Sequence, residues 1–569
     1  MQNKNLLKKT MLFVFAALLG GSVMAQLPKT FITSNITSNT TWTNDHIYVL
    51  TGYIYVTNNA TLTIQAGTVI YGNDPTLLTK GSLIITRGAK IQAVGTPCRP
   101  IVFTSGATKR KRGDWGGLIL LGYAQINAAG DTAHIEGIPP IAQTLFGGGK
   151  NPNCGGGNCP NNSDNSGTLQ YVRVEYAGVA LSPNNEINGI TFGGVGSGTT
   201  VDHVQVSFSN DDSYEWFGGN VNAKYLISLS GIDDDFDTDN GYSGKVQFGV
   251  ALRDPAIADV SKSHGFESDN DASGSGNLPQ TRATFSNMTI DAGGDVTANS
   301  LYEAGVYIRR NSHLNVYNSV VIGWPIGIYI DGTLSQNNVT GDTLVNDNII
   351  GVANSANYVA TISPAGNATV TNLLLNNAGN RFYTGNAGVQ LVAPYSLTKP
   401  DLRPIAGSSP ALTGANFKHA ALAGSFFTTT KYVGALDKSG KTNWTKESWV
   451  NWKPAKTDYS NGAFGSGCAG FAEFADNSDE PASAQSAVLA HVTLSPNPNR
   501  GVFSVALKGF ATGVVNVKVS SLNTGKVYFM GKANNNTATN LSVRVPNGNY
   551  VIELTDGKNV ITRKITVLN

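Results

Sequence analysis

His203-Val204-Gln205-Val206 leads into Asn210-Asp211-Asp212-Ser213-Tyr214-Glu215 and then Gly219; at an offset of 22 the chain reads Tyr225-Leu226-Ile227-Ser228, Ile232 to Asp237, and Gly241. Each unit is a set of short β-branched runs cut by Gly, Asn and Asp, with no amphipathic helical stretch between them. Working outward, Thr61-Leu62-Thr63-Ile64 with Gly67 and Ile70 returns at an offset of 21 as Ser82-Leu83-Ile84-Ile85 with Gly88 and Ile91. Asn318-Ser319-Val320-Val321-Ile322-Gly323 returns at an offset of 28 as Asn346-Asp347-Asn348-Ile349-Ile350-Gly351, and Asn287-Met288-Thr289-Ile290 fits the same column. One such unit cannot bury its own apolar face, so units stack into a continuous core. Strands recurring at this period predict a parallel β-helix. A propeller, the rival all-β arrangement, needs blades of ~40–50 residues. Stacking at ~4.8 Å sets equivalent residues above one another, so Asn287, Asn318 and Asn346 read as an internal asparagine ladder.

Composition agrees. The chain has 65 glycines in 569 residues, about 11% against the usual ~7%, and 14% charged residues against ~25%. That mixture disfavours helical bundles and coiled coils. The 22 Phe, 21 Tyr and 7 Trp exclude wholesale disorder. Net charge is +2, and removal of Lys4, Lys8 and Lys9 takes it to −1, so there is no electrostatic footprint for nucleic acid.

Those lysines precede an apolar run, Met11 to Leu19, and Val23-Met24-Ala25 supplies small cleavage-site residues. Residues 1–25 therefore read as a secretory signal peptide, too short to span a bilayer, and the mature chain is expected to lack a transmembrane segment. Outside the cytoplasm the four cysteines are free to oxidise. Cys154 and Cys159 bracket a glycine loop and are the expected local bridge, leaving Cys98 and Cys468 to each other or unpaired. The solenoid is expected over 26–414. Residues 415–458, with Trp444, Trp449 and Trp452, read as an aromatic C-terminal cap or a sugar-stacking platform, and 459–487 as a Gly/Ser/Ala linker. From 488 to 569, alternating runs between turn residues predict a small β-sandwich.

The strongest chemical signal is mid-solenoid. Aligned units put Glu215, Asp237 and Glu267 in one column and Asp239 and Asp269 in the next, with Asp211-Asp212 and Asp233-Asp234-Asp235 nearby. Carboxylates ~5 Å apart repel by about 3 kcal/mol per pair at an effective dielectric near 20. The array needs a cation, raised pKa values or basic neighbours. Three readings stand open. Asp237, Asp239, Glu267 and Asp269 would ligate Ca²⁺. Alternatively Asp211, Asp212, Glu215, Asp234, Asp237, His264, Glu267 and Arg309 would form a glycosidic-cleavage site. Or the acids are solvated turns with local Asx bonds. The order Asp-Asp, His-Gly, basic pair is similar to that of polygalacturonases, but the intervening motifs do not match. Asp114 and Trp115 read as a corner and a core aromatic, and Lys109-Arg110-Lys111-Arg112 as an exposed basic loop. The chain has no Walker loop, Gly-x-Ser-x-Gly elbow or His-Glu-x-x-His motif.

Two resemblances add to this. Gly67-Thr68-Val69-Ile70, Arg87-Gly88-Ala89-Lys90-Ile91, Gly113-Asp114-Trp115-Gly116-Gly117, Tyr171 to Gly178 and Glu215-Trp216-Phe217-Gly218-Gly219 resemble a family of secreted bacterial right-handed β-helix proteins, most without an assigned activity. The last module resembles the type A C-terminal sorting domain of the Bacteroidetes type IX secretion system. The matching residues are Ser495-Pro496-Asn497-Pro498, Gly501, Phe503, Gly525-Lys526, Gly548-Asn549-Tyr550 and Arg563-Lys564-Ile565. That likeness implies handling by the type IX machinery, export across the outer membrane, and removal of the module with attachment to surface lipopolysaccharide or release. The expectation is a cell-surface or secreted glycan- or matrix-binding adhesion protein, or else a polysaccharide lyase or hydrolase.

Overall fold

The computed structural model describes residues 26–568 apart from 75–79, 152–153, 156, 183–184, 342–344, 354, 474–490, 497–498, 509–512, 522–526 and 556–559. The signal-peptide segment and residues 474–487 of the expected linker lie outside the described residues. One face of the solenoid is a ten-stranded sheet. In chain order its strands are β1 (Tyr53–Val56), β2 (Ser82–Ile85), β3 (Leu118–Leu121), β4 (Ile190–Val195), β5 (Tyr214–Gly219), β6 (Phe236–Asp239), β7 (Ser263–Ser268), β8 (Tyr302–Ile308), β9 (Ile326–Asp331) and β10 (Val359–Ile362). Every pairing is parallel. Alternation sends one side chain of each strand inward. Tyr214, Phe236 and Phe266 stack in the core with ring centroids 5.6 Å apart at each step. The fold is a right-handed parallel β-helix.

The rest of each coil is a longer strand folded at a corner. Tyr171, His203, Tyr225, Phe248, Asn287, Asn318 and Asp347 occupy one stacked column, all with φ between 51° and 64°. Left-handed backbone is uncommon outside Gly, Asn and Asp and strained for large side chains. Here the rings repay part of the strain by stacking, at 4.6 Å for Tyr171–His203, 4.4 Å for His203–Tyr225 and 5.2 Å for Tyr225–Phe248.

This register upholds the 22-residue repeat, with Val204 opposite Leu226 and Glu215 opposite Asp237. It corrects the other two. Thr61 pairs with Lys90 and Tyr53 with Ser82, so the 21-residue likeness compares different faces of the coil. Val320 lies opposite Ile349, so Asn318 sits above Asp347 rather than Asn346. The asparagine column is at the outer corner, not inside. The internal ladder begins one residue later. Asn348 Oδ1 accepts from the Ser319 amide at 2.8 Å, Asn380 Oδ1 accepts from the Asn348 amide at 3.0 Å, and Asn348 Nδ2 donates to Val316 O at 2.9 Å.

The largest correction concerns residues 415–458. They do not cap the last coil; Val370 and Leu374, from short helical turns at Ala368–Asn372 and Leu373–Asn377, fill that end. The segment instead returns along the corner column towards the start of the solenoid. Asn416 pairs with the Asn318 amide, Thr428 with Gln247, and Ala435 with Thr289. Trp444 meets Tyr225 edge-on, as Trp449 meets Tyr171, so both tryptophans are buried and neither is a sugar platform. Asn451 bonds Gln205 in both directions, Tyr459 donates to Glu175 at 2.6 Å, and the Ala463 amide reaches Gly67. The corner column carries apolar rings and buried amides that need a cover, and this strap supplies it. The described chain runs past the expected linker start at 459 to Glu473, where Ala472–Glu473 pairs with Thr457–Asp458. Cys98 is bonded to Cys468, and Cys154 to Cys159. Arg110 and Arg112 are not a free basic loop: Arg110 donates to Pro454 O and Thr457 O on the strap, and Arg112 to Ser230 O.

The C-terminal module is a small β-sandwich of a three-stranded and a four-stranded antiparallel sheet. Phe503, Val517, Val519, Ile552, Leu554 and Ile565 form its core. Gly501 and Phe503 are buried and Gly548 starts a strand, whereas Asn497, Pro498, Gly525 and Lys526 lie outside the described residues.

Candidate functional site

Because Tyr214, Phe236 and Phe266 point inward, Glu215, Asp237 and Glu267 emerge on the outer face of β5, β6 and β7, directly opposite one another. The turns before these strands add more acids. Asp212 Oδ1 accepts from the Asp234 amide at 2.8 Å, and Asp234 Oδ1 from the His264 amide at 2.5 Å, so turn carboxylates link one rung to the next. All eight residues expected of a cleavage site, Asp211, Asp212, Glu215, Asp234, Asp237, His264, Glu267 and Arg309, thus belong to one continuous patch.

The patch has two electrostatically different halves. In the β7–β8 half the acids are matched by bases. His264 Nδ1 lies 3.0 Å from Asp234 and 3.2 Å from Glu267, and its Nε2 lies 3.3 Å from Glu303. Burial opposes its charge, but Asp234, Glu267 and Glu303 overcome this and hold the imidazole well above its usual range. Arg309 pairs with Glu267 and, at 2.8 Å, with Asp269; Arg310 reaches Asp269 at 2.7 Å. Burial pushes Glu267 up, yet His264 and Arg309 bring it below the ordinary carboxylate value.

In the β5–β6 half no base forms an ion pair with Asp211, Asp212, Glu215, Asp233 or Asp237 among the described residues. Ligand atoms of Asp212, Glu215 and Asp237 lie within 4.8 Å of one another, as do those of Asp211, Asp212 and Asp233, with Asp212 common to both groups. Burial first, and mutual repulsion second, raise all five carboxyls well above normal. Glu136, from the loop between β3 and β4, hydrogen-bonds Glu215, and its desolvated carboxyl is pushed up to about 7. Asn188 is buried and donates through Nδ2 to Glu215, while its Oδ1, Asp237 Oδ1 and Asp233 Oδ1 have no hydrogen-bond partner among the described residues. Unsatisfied buried oxygens are costly.

The expected Ca²⁺ set is therefore split. Asp237 belongs to the unmatched half, Glu267 and Asp269 are taken by guanidinium groups, and Asp239, raised to about 8 by burial and by Asp269, is a poor donor. Sequence reasoning missed Glu136, Asn188, Glu303, Tyr307 and Tyr329. The tyrosines were legible, since Val306-Tyr307-Ile308 and Ile328-Tyr329-Ile330 repeat at the same offset of 22. They continue the acidic column: Glu267 lies opposite Tyr307, and Tyr307 opposite a half-buried Tyr329 at a 5.2 Å ring separation. A cavity of about 350 Å³ lies elsewhere, between Tyr71, Arg110, Asp458 and Ser460.

Residues 34–389 match the family model of the pectate-lyase-like β-helix domain. The chain belongs to that family. This pectate-lyase-like β-helix protein also carries, over residues 493–568, a match to the secretion-system C-terminal sorting domain. The type IX sorting module marks the β-helix protein for export to the cell surface or secretion, and no described helix is long and apolar enough to cross a membrane. A comparison with curated proteins finds no match.

Proposed function

We propose that the exported β-helix is a surface-presented binding scaffold for a glycan or matrix polymer, with a Ca²⁺-type cation seated among Asp211, Asp212, Glu215, Asp233 and Asp237. The observation that supports it is the unmatched half of the acidic patch: five crowded carboxyls, of which Asp212 and Glu215 are buried and Asp211, Asp233 and Asp237 half-buried, and the Asn188 amide oxygen, with Asp237 Oδ1 and Asp233 Oδ1 unpartnered among the described residues. Hard divalent cations favour such all-oxygen surroundings. The half-buried Tyr329, next along the same column and stacked on Tyr307, offers an aromatic surface to a sugar. After sorting, the module is removed and the scaffold is held by surface lipopolysaccharide or released.

Titration of the cation-free protein with Ca²⁺ tests this reading. Wild type should bind, Asp212→Asn/Asp237→Asn should not, and a glycan array should show binding that weakens in Tyr329→Ala. Absence of heat from the wild type would remove the cation. Deleting residues 488–569 should trap the protein in the periplasm; surface display of that truncation would remove the type IX route.

A second reading, a polysaccharide lyase or glycoside hydrolase on the same patch, is favoured by one observation. Asp212, Glu215 and Asp237 place a carboxylic acid next to other carboxyls at the short separation that retaining glycosidases use. The burial of these groups weighs against it. Release of reducing ends or unsaturated uronates, lost in Glu215→Gln, would establish turnover.

A further inference from the structure

We propose that the Cys98–Cys468 disulfide is a processing staple, which keeps the strap closed over the solenoid flank once the chain has been cut downstream of Glu473 and the sorting module removed. The inference rests on the reading that the module is removed, and it concerns what the cut does to the protein left behind.

The strap has little structure of its own. Between 411 and 473 its regular elements are 3₁₀ turns and the two-residue pairing of Thr457–Asp458 with Ala472–Glu473. It is held by docking, and its docked groups are ones a solenoid cannot leave bare. Tyr459 is fully buried, donates to Glu175 and lies 5.6 Å from the Arg173 guanidinium, which is itself fully buried. Trp449 closes the edge of the Tyr171–His203 stack.

A cut after Glu473 turns this internal segment into a chain terminus, and termini fray unless tied down. Fraying from that end first breaks the Ala472–Glu473 pairing. It then breaks the Gly465–Cys98 and Ala463–Gly67 backbone bonds, and next exposes Tyr459, Arg173 and Glu175. The disulfide sits at this vulnerable end: Cys468 lies just before the last paired residues and is bonded to the Cys98 loop of an early coil. Phe464, beside it, packs against the Arg99 guanidinium at 4.6 Å. Because the two cysteines are 370 residues apart, the bond joins them only when the coils between are stacked and the strap has come back. It also fixes where the chain leaves the solenoid, at the end where the coil begins, since Leu27 donates to Ser460 O there.

The test uses the full chain in a Cys154→Ser/Cys159→Ser background, with a site-specific protease sequence placed between 474 and 490. Hydrogen exchange over 441–473 is measured before and after cutting, oxidised and reduced. A Cys98→Ser/Cys468→Ser variant serves as a second form without the bond. The expected result is unchanged protection in the oxidised cut protein and at least a tenfold loss over 457–473 in the reduced cut protein. Equal protection in the oxidised and reduced cut proteins would overturn the staple. Whether cells remove the module is read separately, from the mass of the surface protein, so a failure of that reading is distinguishable.

Discussion

The two halves of the acidic patch are built by the same register on consecutive strands, yet they solve the same electrostatic problem differently. On β7 and β8, His264, Arg309 and Arg310 reach the carboxylates directly, and Glu303 is held at about 2, chiefly by its hydrogen bond with His264. On β5 and β6 no described base forms an ion pair with the acids, and one oxygen each of Asp233, Asp237 and Asn188 is unpaired among the described residues. A column of like charge in a β-helix is thus not one site. Its character is set by what the loops bring to it, and the loops around β5 and β6 bring more acid.

Arg309→Ala is the strongest way to break that contrast. It removes the base shared by Glu267 and Asp269 and should cost about 3 kcal/mol, because Glu267 is left with His264 alone and Asp269 with Arg310 alone. The β7–β8 half would then move towards the charge imbalance of the β5–β6 half, and stability should become more sensitive to divalent cations. An unchanged denaturation midpoint would show that Arg309 is incidental.

pH gives the next effect. Asp239, raised to about 8, and Asp269, raised to about 6, both primarily by burial, hold protons that the unfolded chain releases above pH ~4. The native state therefore binds more protons in that window, and cation-free stability should fall as pH rises from about 4 to about 8. Glu303 and Asp401, both held at about 2, act in the opposite sense only at lower pH, where their contribution is lost as they protonate. Thermal melts in chelator across this range should show the decline, and Ca²⁺ should flatten it. A rising profile in chelator would contradict the assignment of the raised carboxyls.

Glu215→Gln should have the smallest effect and the most specific one. Removing one acid from the crowded half, where burial and neighbouring carboxyls push Glu215 up, should stabilise the cation-free protein slightly. The same change should weaken the response to Ca²⁺. Chemical denaturation with and without the ion separates the two outcomes.

How much of this was legible in the sequence depended on local spacing. Coils of constant length, such as Val204 to Leu226, carried their register openly, and with it the Glu215–Asp237–Glu267 column. The offset slipped by one where the left-handed corner passed from Asn318 to Asp347, because either residue type suits that backbone and an Asn stood next to the true position. The strap was illegible for a different reason. Gln205 and Asn451 meet across 246 residues, and irregular turns leave no period to read. The partition of the patch was hidden likewise, since Glu136, Asn188 and Glu303 reach the column from loops or from strand positions outside its repeat.

The most direct measurement is a pair of melting curves for the intact protein, one in Ca²⁺ and one in chelator, set beside the same pair for Asp212→Asn/Asp237→Asn. A ligand at a hundred times its Kd stabilises the folded form by about 2.7 kcal/mol if it binds only that form. The account predicts a wild-type melting temperature several degrees higher in Ca²⁺ than in chelator, and coincident curves for the double variant. Coincident curves for the wild type would contradict it.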